Sequence, residues 1–359
     1  MIAERYKDDG KPTWRVNQIQ ATYKQQLLDK LRLGEYKTEM VSKCCCSSEL
    51  LEVLAEKDRF GLPFGSLICK KCGLILTSPR LAQRDLPSFY NHEYHGLHFG
   101  ETEAEKNPYL FRRNQGVIIF EYVKDFLNKD ELLVAEVGCG SGANLSSFAT
   151  GAKRLGIRAR LAGCEYSESY ASYANSELGI AVCMGGASTL VEEGINADVL
   201  ILSHVFEHFI DLEVEMKAIE NILKDDGILY IEVPGILDLH NKYEYDCDFL
   251  KYLTLAHMYN FSLTTLRSRL ATVGFSLVKG DEYVRSVFMK SSVDTEGLTG
   301  LNDYDRIVCY LTHLEKNKGI YASHNPNRRL HRRAMHYLYR QAWIPRLLRD
   351  TGRKWFSYE

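Results

Sequence analysis

Three clusters of residues carry the chemistry that this chain can do. The first is Gly138, Gly140 and Gly142 in LLVAEVGCGSGANLSSF. Glycines spaced GxGxG between an apolar run and a helix let a ligand reach bare backbone, and the helix start beyond offers free N–H groups. Ala143 stands where a GxGxxG dinucleotide loop carries its last glycine, a tolerated exchange, so the spacing alone decides little. Two acids decide more. Glu136 precedes the loop by two residues, and Glu165 closes the next apolar run in GCEYS. A carboxylate at that position can accept both hydrogen bonds of a ribose diol, and Tyr166 beside it can stack on an adenine. The second cluster is Ser203-His204-Val205-Phe206-Glu207-His208, with His257 further on. A neutral imidazole is the natural base near pH 7 for taking a proton from an attacking hydroxyl. His204 and His208 are four residues apart, which puts them on one face if the segment turns as a helix. The third is Cys69-Lys-Lys-Cys72, a CxxC knuckle of the kind that bites one zinc ion. Cys44, Cys45 and Cys46 supply the other half irregularly, with Cys44 and Cys46 as ligands and Cys45 as the spare. A reduced cysteine cluster without metal is the plain alternative.

The elements that must position these groups follow from periodicity. Leu132–Val137, Arg160–Glu165, Ala197–Ser203 and Gly227–Val233 read as strands, with a short one at Ala181–Cys183. Helices at 143–156, 167–178 and 211–223 separate them. This alternation predicts an α/β fold with a doubly wound parallel sheet. A helix at 263–273 and strands at Ser276–Lys279 and Tyr283–Met289 come after a long loop at 235–258. Upstream, 13–33, 83–95 and 108–128 read as helices, and 40–80, broken by Gly61, Pro63, Gly65 and Gly73, as a small β-rich knuckle.

EVGCGSG (136–142), Glu165, ADVLILSHVFEH (197–208) and GILYIEVP (227–234) resemble the class I S-adenosyl-L-methionine (SAM)-dependent methyltransferases. The resemblance spans about 130–290. It implies a Rossmann-like, seven-stranded sheet with the last strand antiparallel, and SAM bound across the strand ends by Glu136, Gly138, Gly140, Gly142, Glu165, Tyr166, Ser203 and His204. Many relatives place an Asp against the adenine amine after the third strand. MGGAST stands here instead, so the backbone must make that contact.

CKKCGLILTSPRLAQRDLPSFYNHEYHG resembles the zinc-ribbon leader of bacterial glycan and sugar methyltransferases, which implies a structural zinc on Cys44, Cys46, Cys69 and Cys72. Deoxysugar C-methyltransferases carry a similar leader and a further Rossmann-like domain for which this chain is too short, so O-methylation of a sugar, nucleotide sugar or lipid-linked glycan is the expected reaction. His257-Met-Tyr259-Asn-Phe261 resembles a His-x-Tyr-x-Phe segment that lies over the active site in that group. His204, His208 and His257 are the candidate catalytic residues. His204-x-x-Glu207-His208 with His257 also resembles the metal site of small-RNA 2′-O-methyltransferases and ubiquinone-pathway O-methyltransferases. The alternatives are therefore a metal-dependent O-methyltransferase acting on RNA or a small phenol, and a non-catalytic SAM-binding scaffold subunit.

Composition bounds these readings. The 359 residues are 45% hydrophobic and 26% charged, the balance of a globular protein. A net charge of −2 argues against a nucleic-acid binder. No run reaches the length of a membrane span and MIAERYKDDGK has no apolar core of a signal peptide, so a cytoplasmic protein is expected. Ten cysteines there are not a disulfide framework. The charge is uneven: residues 321–359 hold nine basic side chains against Asp350 and Glu359. Interleaved with Trp343, Trp355 and Phe356, this basic tail is a candidate for contact with a phosphate or with the inner membrane surface. The expected organisation is an N-terminal helix (1–39), a zinc-ribbon-like module and following helix (40–100), a methyltransferase domain (101–295) and a basic helical extension (296–359).

Overall fold

The computed structural model describes residues 1–101, 114–291 and 300–318. The basic tail and the start of the predicted helix 108–128 lie outside them. In chain order the strands are β1 (Thr38–Glu39), β2 (Leu51–Ala55), β3 (Ser66–Cys69), β4 (Ile75–Thr77), β5 (Arg80–Leu81), β6 (Glu131–Val137), β7 (Arg158–Glu165), β8 (Ala181–Met184), β9 (Ala197–Ser203), β10 (Leu223–Glu232), β11 (Tyr259–Asn260), β12 (Phe275–Gly280) and β13 (Arg285–Lys290).

Seven of them form the main sheet in the order β12-β13-β10-β9-β6-β7-β8. β8, β7, β6, β9 and β10 run parallel, and β13 is antiparallel to both β10 and β12. The doubly wound sheet and its reversed strand are as the sequence leads one to expect. β9 is buried along its whole length, which explains its unbroken apolar run. The chain winds outward through β6, β7 and β8, then returns to the other side of β6 as β9. The order reverses between β6 and β9, and ligands of doubly wound sheets bind in the crevice at that point. The glycine loop leaves β6 there and the His204–His208 segment leaves β9.

Helix Gln115–Val123 packs on helix Ala143–Arg154, which follows the glycine loop. Their close approach depends on small residues: a Cβ on Gly116 would lie 1.9 Å from the Asn144 carbonyl oxygen, and one on Gly151 would lie 2.6 Å from the Phe120 ring. The predicted helix 13–33 spans Gln18–Leu33, capped by Asn17 in a capping box with Gln20 and ended by left-handed Gly34. The predicted helix 83–95 is split into Leu86–His92 and Tyr94–Phe99. A short helix, Ala187–Glu192, follows MGG and was not foreseen, and the loop 235–258 contains helical turns at Ile236–Asn241 and Phe249–Tyr252.

The knuckle does not close on its own strands. Its sheet runs β11-β4-β3-β2, and β11 comes from the loop before helix Leu263–Ala271. A second core joins Tyr6, Leu54 and Ile75 to Leu237, Phe249 and Leu253 and to Ile307 and Leu311 of helix Tyr304–Lys316. Arg5 clamps this join. Its Nε donates to Glu315 Oε1 at 2.9 Å and its Nη2 to Asp248 Oδ1 at 2.9 Å. Among the described residues no helix is long and apolar enough to cross a membrane.

Burial pushes the Glu315 carboxyl up, but Arg5 and Lys318 win and hold it down at about 2 from the usual 4.5. Such a group contributes stability that is present above its unfolded pKa and lost as pH falls through the folded one. Glu315→Gln should cost about 1–2 kcal/mol at neutral pH, allowing for the exposed part of the pair. Its melting temperature should then fall less than that of the wild type between about pH 5 and 2. Parallel melting profiles for the two proteins would remove the clamp from the account.

Candidate functional site

The three glycines of the loop have different duties. All have positive φ, at 63°, 54° and 75° for Gly138, Gly140 and Gly142. A Cβ on Gly138 would meet Val205 at 2.6 Å and one on Gly142 would meet Ile180 at 2.9 Å, so these two are required by packing. A Cβ on Gly140 would meet nothing within 4 Å: the space over its backbone is open, as a cradle for a ligand must be. Glu165 faces this cradle from the end of β7. Its Oε2 accepts from Gly140 N at 2.8 Å and its Oε1 from Ser167 N at 2.9 Å. Each oxygen keeps lone-pair capacity for a ribose hydroxyl. Tyr166 is 58% exposed, with its hydroxyl beside the backbone of Gly186 after β8. Glu136 is buried under the loop and accepts from Asn144 Nδ2 at 2.7 Å, so it ties the strand to the first turn of the helix. Open backbone, acid and exposed ring together fit SAM.

At the end of β9 the chain turns sharply. Ser203 is buried as the last residue of the strand. His204 has φ of 58° and the helical turn begins only at Phe206–His208. His204 and His208 therefore do not share a helical face as their spacing suggests; the left-handed residue turns His204 out of the run. A strained backbone of this kind at a strand end points to function. His204 lies between two buried carboxylates, with Nδ1 3.6 Å from Glu207 Oε1 and Nε2 3.9 Å from Glu232 Oε1. His208 faces Glu207 from the other side, with Nε2 3.9 Å from Oε1, and its Nδ1 is 3.0 Å from the Tyr90 hydroxyl.

His257 comes down onto this cluster. Its ring meets that of His208 edge-on at 5.1 Å, and one ligand atom from each of Glu207, His208 and His257 lies within 4.8 Å of the others. The loop is held by the knuckle: Thr77 Oγ1 donates to the His257 carbonyl at 2.6 Å. Burial, then the neighbouring His208, holds His257 well below the usual histidine range, so the ring is neutral.

The cysteines form a separate cluster in the knuckle. Sγ of Cys44 is 3.6 Å from that of Cys72, and Sγ of Cys46 is 3.6 Å from that of Cys69. All four sulfurs lie within 4.8 Å of one another. A zinc tetrahedron with bonds of about 2.3 Å has sulfur–sulfur edges of about 3.8 Å, so the donor set fits that ion. Cys45 stands aside, its carbonyl taking a hydrogen bond from Arg269 Nη1 at 3.1 Å.

Sequence reasoning passed over Glu232 and Tyr90, which the structure brings to His204 and His208. Glu232 had a readable signal, an acid closing the apolar run GILYIE as Glu165 closes its own. Two substitutions test the cradle. Gly140→Val should fill the open space, strain the loop at its positive φ and abolish measurable SAM binding, with a melting curve to check that the fold persists. Glu165→Ala should weaken SAM by about 1.5–3 kcal/mol, the loss of a charged hydrogen bond. Calorimetry that finds wild-type affinity in both would place the cofactor elsewhere.

The model of the family described as "Methyltransferase domain" matches residues 111–279. No curated protein matches the chain. Among solved structures, a SAM-dependent methyltransferase from Clostridium acetobutylicum is 13% identical, covering 57% of this chain and 99% of that one with a TM-score of 0.38. Magnesium protoporphyrin IX methyltransferase from Synechocystis is 17% identical, covering 58% and 100% with a TM-score of 0.39. The match over 111–279, on a sheet of this order with an open glycine cradle at its switch point, makes this segment a class I SAM-dependent methyltransferase domain.

Proposed function

We propose that the protein is an O-methyltransferase whose acceptor is a hydroxyl of a sugar, nucleotide sugar or lipid-linked glycan. The observation that supports this reading is the set of imidazoles beside the cofactor cradle, backed by buried carboxylates. SAM supplies a sulfonium methyl that is already activated, so the protein has to align an acceptor and take its proton. Glu165, Tyr166 and the Gly140 backbone hold the cofactor end. His204 is the base: it is the more exposed of the histidines at the strand end, and Glu207 and Glu232 on either side stabilise the imidazolium as the hydroxyl proton arrives. The proton then leaves to solvent from the exposed side of the ring. His208 and His257 shape the acceptor side.

A second reading has an observation of its own. Glu207, His208 and His257 converge closely enough to hold a divalent ion, without His204. The knuckle takes a structural zinc on Cys44, Cys46, Cys69 and Cys72, and the basic tail is our candidate for contact with a phosphate or membrane surface.

With a glycan acceptor, His204→Ala should lower kcat roughly 10²–10⁴-fold while SAM affinity stays the same. A variant with unchanged kcat would remove His204 as the base. If a chelator abolishes turnover while folding and SAM binding persist, and Mg²⁺ or Mn²⁺ restores it, the metal reading replaces the base reading. Elemental analysis should find about one zinc per chain. Cys69→Ser should lose it and lower the melting temperature by at least roughly 5 °C, whereas Cys45→Ser should keep both. Full stability of metal-free protein would count against a structural zinc.

A further inference from the structure

Arg59 is a buried cation with no carboxylate in direct contact among the described residues. It is 3% exposed, and among the described residues no carboxylate lies within 4 Å of its nitrogens. Its Nε is buried and meets no hydrogen-bond partner. The adjacent Asp58, itself buried, acts on it only through its field. Its carboxylate is occupied by the backbone N–H groups of Phe60, Leu62 and Leu255 at 2.9, 3.0 and 3.2 Å. The guanidinium instead lies over the Trp14 and Phe60 rings at 5.3 and 5.0 Å. Burying a charge this way costs free energy that ring contacts offset only in part. The backbone holds the residue in place, Arg59 N donating to Leu253 O at 3.1 Å and Arg59 O accepting from Trp14 N at 3.0 Å.

From Arg59 a circuit of side chains leads to the strand-end cluster and back. In one direction the guanidinium is 5.9 Å from the Tyr245 ring, which meets Tyr252 at 5.5 Å, and Tyr252 meets His257 at 6.2 Å. In the other, Arg59 Nη2 is 3.0 Å from His98 Nδ1, His98 stacks on Tyr94 at 5.1 Å, and Tyr94 meets His208 at 6.1 Å. His208 and His257 touch, so the circuit closes. The Nδ1 of His257, a second buried polar atom on it, also lacks a partner among the described residues.

We propose that this circuit is the acceptor end of the site, and that Arg59 recognises an oxyanion, carboxylate or phosphate, carried by the sugar whose hydroxyl is methylated. Tyrosine faces suit the apolar faces of a sugar ring, and a planar guanidinium suits a two-oxygen anion. The proposal rests on the sugar-methylation reading and deepens it.

The test is calorimetry on the full, zinc-loaded chain in the presence of S-adenosylhomocysteine. The probes are glucuronate, glucose 1-phosphate, glucose and inorganic phosphate. At least one anionic sugar should bind roughly 10- to 100-fold more tightly than glucose, and the tighter one identifies carboxylate or phosphate as the source. Arg59→Gln should erase the preference and Arg59→Lys should restore part of it. Glucose binding as tightly as both anionic sugars overturns the proposal, and so does a preference that survives Arg59→Gln or an absence of binding by every anionic probe. The wild-type comparison among probes decides even where a variant fails to fold. If no sugar binds but inorganic phosphate does, and only with Arg59 present, the sugar reading falls and the anion site stands. If neutral sugars bind and are methylated equally well without Arg59, the anion site falls and the sugar reading stands.

Discussion

The site depends on a strand pairing only two residues long. Tyr259 pairs with Leu76 and Asn260 with Ile75, so the loop that carries His257 is the fourth strand of the knuckle's sheet. A two-residue pairing contributes little by itself. It holds because both partners are buried in cores on either side. Leu76 and Leu74 share a core with Phe206, Met258 and Phe261, and Ile75 shares another with Leu253 and Leu250. Moving the knuckle would expose both cores and lift His257 from His208. The leader forms one wall of the histidine cluster, because Tyr90 and Tyr94 meet His208 from its side of the chain.

Charge placement separates the two halves of the cleft. On the cofactor side, Glu165 accepts from two backbone N–H groups with lone pairs to spare and Tyr166 stands exposed next to it in sequence, a geometry for a neutral ribose and a base. On the histidine side two fully buried acids, Glu207 and Glu232, flank His204, and a buried arginine stands across the circuit. Buried charges are tolerated only with partners. The acids have theirs: Tyr230 donates to Glu232 at 3.1 Å, and His204 and His208 face Glu207. The arginine stands apart from them, held by rings and a histidine.

Local grammar made the cofactor side legible in the sequence. Strand, glycine loop, helix, strand and terminal acid follow one another within 35 residues, and each element keeps its neighbours by chain connectivity. Thus Gly140 and Glu165 meet at the strand ends, and β9 has the bounds read from ADVLILS. The histidine side is assembled from stretches more than 175 residues apart in sequence, Arg59 with Tyr245 and Thr77 with His257. No periodicity encodes such pairs. The helical reading of His204 to His208 failed for a local reason, a left-handed residue where the strand must release the chain sideways. Short pieces also escaped: Ala187–Glu192 is under two turns, too brief for a 3.6-residue repeat to stand out.

The cysteine knuckle grips the domain at a second place, and this explains its irregular half. Helix Leu263–Ala271 starts at Ser262, whose hydroxyl donates to Asp303, and Asp303 N donates to the Cys72 carbonyl at 3.2 Å. At the other end of the same helix, Arg269 donates to the carbonyl of Cys45. One helix is thus held at both ends by the two turns that present the sulfurs. A regular CxxC in the first half would place two residues between its ligands. Here the single residue between Cys44 and Cys46 is turned outward, and left-handed Ser47 closes the tight turn. That turn brings the Cys45 carbonyl to Arg269. The departure from the common spacing is therefore matched by a contact the common spacing does not need, and it couples the sulfur cluster to the helix that follows the His257 loop.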